Sequence, residues 1–125
     1  MGIYLNPMNE LFLKAVNSDI YVDHSLMIEY TNHVLSKIND KLCVSRPKRF
    51  GKSTDANMLV AYYSKDCDSS DIFARLKISE SPLYKEHLNQ HYVIYLNMQD
   101  SLSQTHDIKK MTELINQSLI WELLL

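Results

Sequence analysis

Apolar side chains recur along the chain with two periods, and the alternation between them predicts its elements. Leu11, Phe12, Ala15 and Val16 share one helical face of residues 9–16, and Asn17-Ser18-Asp19 supplies turn chemistry after them. Ile20-Tyr21-Val22 is a brief β-type run. Asp23 or Ser25 is the candidate N-cap of a second helix through about Ile38, with Leu26, Met27, Tyr30, Val34, Leu35 and Ile38 facing inwards. Lys41-Leu42-Cys43-Val44-Ser45 reads as a short buried strand, and residues 54–64 return to helical spacing at Ala56, Leu59, Val60 and Tyr63. A polar stretch, 65–70, precedes a short helix at 71–76, and Ser79-Glu80-Ser81-Pro82 opens another to about Gln90, with Pro82 suited to its first turn. Tyr92-Val93-Ile94-Tyr95-Leu96-Asn97-Met98 has the β-branched, aromatic and nearly continuous apolarity of a strand buried on both faces. A last helix from Asp107 carries Ile108, Met111, Leu114, Ile115, Leu119 and Leu123. Strands separated by helices predict an α/β fold with a parallel sheet.

The 125 residues suffice for one domain with a core, and 46% apolar content is that of a globular protein. A formal charge of −2 exerts no overall pull towards nucleic acid or anionic membrane, so basic function has to be local. No apolar run is long enough to cross a bilayer and no secretory signal opens the chain, which predicts a cytoplasmic protein without a membrane partner. Cys43 in the predicted strand and Cys67 in a polar turn are expected to be reduced thiols.

The local basic concentration is Arg46, Lys48, Arg49 and Lys52, within Arg46-Pro47-Lys48-Arg49-Phe50-Gly51-Lys52-Ser53. This run, between a strand-like and a helix-like stretch, is a truncated Walker A loop: GxxxxGKS/T would place a glycine at Arg46. A triphosphate needs converging backbone N–H groups, a helix N-terminus, a lysine for its outer oxygens and a hydroxyl for magnesium. The retained half supplies all four. Gly51 permits close backbone approach, Lys52 would reach the β and γ phosphates, and Ser53 would hold the metal. Pro47 has no N–H, so the anion cradle is expected from Arg49, Phe50, Gly51, Lys52, Ser53 and Thr54. Only two glycines occur where average usage of about 7% would give roughly nine. The position of Gly51 before Lys-Ser is the more informative for that. The competing readings are a basic surface turn, a binding module that grips nucleic acid or an acidic partner through residues 46–52, and an inactive fragment.

Other constellations are weaker. His87 and His91 have the four-residue spacing of a helical metal pair but no evident third ligand, and read as solvated helix histidines. Asp100 mimics a Walker B acid but lies beyond Asn97-Met98-Gln99, where a capping or turn role suits it better. Asp55, in the first turn after the loop, is expected to face solvent.

Taken together, Gly2 to Pro7, Asn17 to Asp23, the loop Ser45 to Ser53 and Tyr92 to Gln99 resemble the N-terminal part of the bacterial AAA-ATPase-like proteins, which commonly continue into a PD-(D/E)xK nuclease-like domain. That family too lacks the first Walker glycine. The resemblance implies an incomplete P-loop NTPase (AAA-like) core, with residues 1–125 the N-terminal part of a single domain that stops before Walker B. It implies ATP and Mg2+ as cofactors, nucleotide as partner and nucleic acid as a partner of the wider family. Without a Walker B carboxylate the isolated chain is expected to hydrolyse nucleotide negligibly. Its unpaired strand edges and uncovered final helix predict poor solubility or pairing with another polypeptide.

Overall fold

Lys52–Tyr63 form the helix around which the chain packs. The computed structural model describes residues 4–45, 51–98 and 106–124. Within them lie α1 (Glu10–Val16), α2 (Leu26–Val34), α3 (Lys52–Tyr63), α4 (Ser70–Phe73), a 3-10 turn (Lys77–Glu80), α5 (Tyr84–His87) and α6 (Ile108–Leu124). No β-strand occurs among the described residues. Strand-like pairing there is confined to two isolated bridges, Leu5 with Ile94 antiparallel and Ser64 with His91 parallel.

The core is aromatic. Phe12 from α1 stacks on Phe73 of α4 at 5.2 Å and meets the Tyr21 ring edge-on at 6.1 Å, while Tyr62 of α3 stands edge-on to Phe73 at 5.4 Å. Ile28, Met58, Ala61, Ile78 and Tyr84 complete the cluster. Each fully buried large side chain here contributes about 2–3 kcal/mol of apolar transfer. A hydroxyl and amide network then fixes α2 against α3. The Tyr63 hydroxyl lies 2.6 Å from Thr31 Oγ1 and donates to Asn32 Oδ1 (2.6 Å). Asn32 Nδ2 donates to the Tyr62 hydroxyl (3.0 Å), which donates to Tyr84 O (2.7 Å). Burial pushes the Tyr63 phenol up to about 12, so it remains a donor at any physiological pH.

The end of α3 is closed from a distance. A helix leaves its last carbonyls without intrahelical donors. Asn89 supplies three: its N–H reaches Tyr62 O (2.6 Å), and its Nδ2 reaches Ala61 O (2.9 Å) and Ser64 O (2.7 Å). Ser69 Oγ also donates to Ala61 O (2.7 Å), and the His91 N–H to Tyr63 O (2.9 Å). Asn89 adopts φ +54°, a left-handed conformation that asparagine tolerates better than most residues.

Several expectations are overturned. The α/β fold with parallel strands, and with it the P-loop NTPase core, is replaced by a helical arrangement. Ile20 and Val22 are 88% and 67% exposed, and no sheet forms around them among the described residues. Residues 41–45 are exposed throughout, so Cys43 is a surface thiol rather than a core one; both cysteines are free. A β-type run becomes a strand only with a neighbour to pair with, and apolarity alone cannot supply one. The second helix ends at Val34, because Leu35 turns extended and Ser36 takes φ +64°. In α6 only Met111 and Ile115 are buried, while Ile108, Trp121 and Leu123 are exposed.

Two substitutions test this frame. Asn89→Gly keeps the backbone conformation but deletes the side-chain bonds, and should lower unfolding free energy by about 2 kcal/mol in urea titrations. Ser64 Oγ is buried with no hydrogen-bond partner among the described residues. Ser64→Ala is therefore expected to raise stability by about 1 kcal/mol rather than lower it.

Candidate functional site

The described part of the expected phosphate loop starts at Gly51. Arg46, Pro47, Lys48, Arg49 and Phe50 lie outside the described residues, as does Asp100. Gly51 is the N-cap of α3 at φ +86°, its carbonyl accepting the Asp55 N–H at 2.8 Å. A Cβ there would meet nothing closer than His24 Cε1 at 3.8 Å, so the backbone angle, not crowding, calls for glycine. Lys52 and Ser53 are exposed at the helix start and Thr54 is half-buried.

Asp55 does not face solvent. It is 3% exposed, and its Oδ1 lies 3.0 Å from Nδ1 of His24. His24 of this pair lines a cleft of about 400 Å3 together with Ser18, Tyr21, Val22, Gly51 and Thr54. Burial, with the charges of Asp23 and Asp55 adding to it, pushes the Tyr21 phenol up to about 12. A negative carboxylate in the first turn of α3 suits the helix dipole and is already held by an imidazole. No strand leads into this turn among the described residues, which removes the scaffold on which the Walker A reading depended. ATP phosphate binding, ATP and Mg2+ as cofactors, the AAA-type ATPase mechanism and nucleotide as a partner are therefore all overturned.

Asp23 ties the cleft wall to the rest of the fold. Its carboxylate accepts the N–H of Ser25 (2.8 Å) and of Lys77 (2.9 Å), joining the start of α2 to the 3-10 turn. Ser25 Oγ accepts the N–H of Ile78 (3.1 Å) beside it. Desolvation raises the Asp23 pKa, but hydrogen bonds from the Ser25 hydroxyl and the two N–H groups outweigh it, and the carboxyl is held below its ordinary value.

A second locus emerges at residues 89–98, where the sequence predicted a doubly buried strand. His91 and Val93 engage both their main-chain groups, and Tyr95 its N–H. The His91 N–H bonds Tyr63 O and its carbonyl accepts the Lys65 N–H (2.9 Å each). Val93 accepts the Asn6 N–H (2.7 Å), its own N–H donates to Asn6 Oδ1 (2.7 Å), and the Tyr95 N–H donates to Tyr4 O (2.7 Å). Glu122 of α6 holds this second layer by accepting the N–H groups of Tyr4 (3.1 Å) and Leu5 (2.7 Å). Successive residues of an extended chain point their N–H and C=O groups to opposite edges. The other edge belongs to Tyr92, Ile94 and Leu96, whose main-chain groups make no hydrogen bond among the described residues. Their side chains are bare as well, Tyr92 73%, Ile94 57% and Leu96 38% exposed. The open edge was missed in the sequence because the run reads equally well as the centre of a sheet.

A family model described as "Predicted AAA-ATPase" matches residues 12–123, and the chain belongs to that family. The P-loop core that the resemblance implied for its members does not follow from that membership, given the strand-free described fold. No curated protein and no solved structure matches the chain. No helix among the described residues is long and apolar enough to cross a membrane.

The Asp23 linkage has a definite sign. A depressed folded-state pKa contributes stability that is complete above the unfolded value, about 3.9, and is lost as pH falls through the folded one. Asp23→Asn should therefore lower the melting temperature at pH 7, and the gap to the unsubstituted chain should narrow as the buffer is taken below about pH 4.

Proposed function

We propose that the chain is a polypeptide-binding module whose open edge at Tyr92–Leu96 accepts an extended, apolar segment of a protein partner. The observation that carries this reading is the one-sided hydrogen bonding of residues 91–95, with every odd residue bonded inwards and the main-chain groups of Tyr92 and Ile94 making no bond among the described residues. Free N–H and C=O groups in register are a template for strand addition, the main chain giving affinity and alternate side chains specificity. Sheet edges that must stay single are blunted with lysine, proline or a bulge. Residues 92–98 contain no charge and no proline.

The chemistry of the occupant follows from the edge. Tyr92, Ile94 and Leu96 offer an uncharged surface, so a β-branched or aromatic strand gains cross-strand contacts worth about 0.2–1 kcal/mol a pair. A charged segment would bury its charges without partners. Lys65, whose Nζ sits 4.8 Å from the centre of the Tyr92 ring, marks one end of the edge. The two free thiols, one of them at the surface, suit a reducing compartment, and we place this activity in the cytoplasm.

Ile94→Pro is the discriminating variant. Ile94 N–H makes no bond among the described residues, so proline removes a donor from the open edge without breaking a bond seen there. A fluorescent peptide of alternating valine and threonine should bind the full chain, protect the Ile94 and Leu96 amides from exchange, and fail to bind the proline variant. Equal anisotropy changes with both proteins would mean non-specific apolar adhesion and would sink the reading.

A further inference from the structure

Two imidazoles meet at the turn that follows α5. His87 is the last residue of α5 and His91 begins the extended segment, so the pair is not the helical one that the four-residue spacing suggested. His87 Nδ1 lies 3.0 Å from His91 Nε2, with ring centres 5.2 Å apart and planes 23° from parallel, so the rings meet nitrogen to nitrogen. Both rings are half-buried.

We propose that His87 Nδ1 and His91 Nε2 together bind a divalent transition-metal ion of the copper(II) or nickel(II) class. Metal–nitrogen bonds of about 2.0–2.1 Å meeting at a right angle separate their nitrogens by about 2.9 Å, and at the tetrahedral angle by about 3.3 Å. The observed 3.0 Å is the length of the N–H···N hydrogen bond between the two rings, so both nitrogens already lie within the span that one ion bridges, and copper(II) and nickel(II) are the ions whose tetragonal and square-planar preferences accept two imidazoles completed by water. The ion would take the place of the shared proton: the hydrogen on one of the two nitrogens moves to the other nitrogen of its ring. Both lone pairs then face the metal once each ring has turned about its side-chain bonds, because in the hydrogen-bonded pair the two nitrogens point at each other rather than at a common third point. Between neutral histidines this exchange releases no net proton.

The two backbones are held before any ion arrives. The Leu88 N–H bonds Tyr84 O (3.2 Å), Asn89 is fixed against the end of α3, and His91 is bonded through both its N–H and its carbonyl. The edge of the Tyr63 ring packs on His91 at 5.4 Å. No cluster of three histidine, cysteine, aspartate or glutamate side chains occurs among the described residues. The remaining coordination positions therefore go to water, which makes the site weak and exchangeable.

Copper(II) chloride titrated into the full chain tests this, followed by electron paramagnetic resonance and calorimetry. One ion per chain is expected, with hyperfine splitting from two nitrogens and paramagnetic broadening of the His87 and His91 ring protons in the unsubstituted protein. His87→Gln and His91→Gln should each weaken binding by about tenfold or more, since losing a ligand costs at least what losing a ligand's supporting partner does. His33→Gln should leave binding unchanged. Broadening centred on other histidines, or an affinity that survives either glutamine substitution, would overturn the assignment. Because the broadening is read without a substitution, a variant that fails to fold does not blunt the test.

Discussion

The carbonyl end of α3 is the constraint on which the rest of the molecule depends. Carbonyls left bare at a buried helix end would each cost about 1–3 kcal/mol, and here Ser69 and, from much further along the chain, Asn89 and His91 satisfy them. Asn89 does most of this, donating to Ala61, Tyr62 and Ser64 at once. Because those bonds hold Asn89, the chain on either side of it is also held. The two histidines are placed four residues apart across the turn, and residues 91–95 are laid down with one edge turned inwards. The candidate site and the candidate metal pair are thus by-products of a helix cap.

Much of the helical content was legible in the sequence. The 3.6-residue spacing of apolar positions placed α1, α3 and α6 within a few residues of their observed bounds, and Ser25, one of the two N-cap candidates, precedes α2 but makes no side-chain capping bond. Strands were misread for a definite reason. Ile20–Val22, Leu42–Val44 and Tyr92–Met98 all have β-type composition, but composition states only that a segment fits a pleated surface. Whether that surface exists depends on neighbours that no local window contains. Asn89 was illegible on the same ground: its left-handed backbone and its acceptors depend on contacts 25 to 28 positions away.

The loop from Arg46 to Ser53 illustrates how a motif separates from its mechanism. Gly51 does occupy a left-handed turn at the start of a helix, as a phosphate loop's glycine would, and Lys52 and Ser53 follow it at the surface. Yet the acid expected to point away, Asp55, is turned inwards and paired with His24. Membership of the family and possession of the family's implied core are separate statements here. The first rests on a match over residues 12–123, and the second fails on the absence of strands among the described residues.

Helix α6 shows the core only Met111 and Ile115 and leaves Trp121 69% exposed. Trp121 is the chain's one tryptophan. Its indole is already in water while the protein is folded, so its emission will be red-shifted from the outset and will change little on denaturation. A blue shift, in contrast, would follow whenever another surface came down on α6. The intrinsic fluorescence of this protein is therefore a poor gauge of its folding and a sensitive gauge of its company.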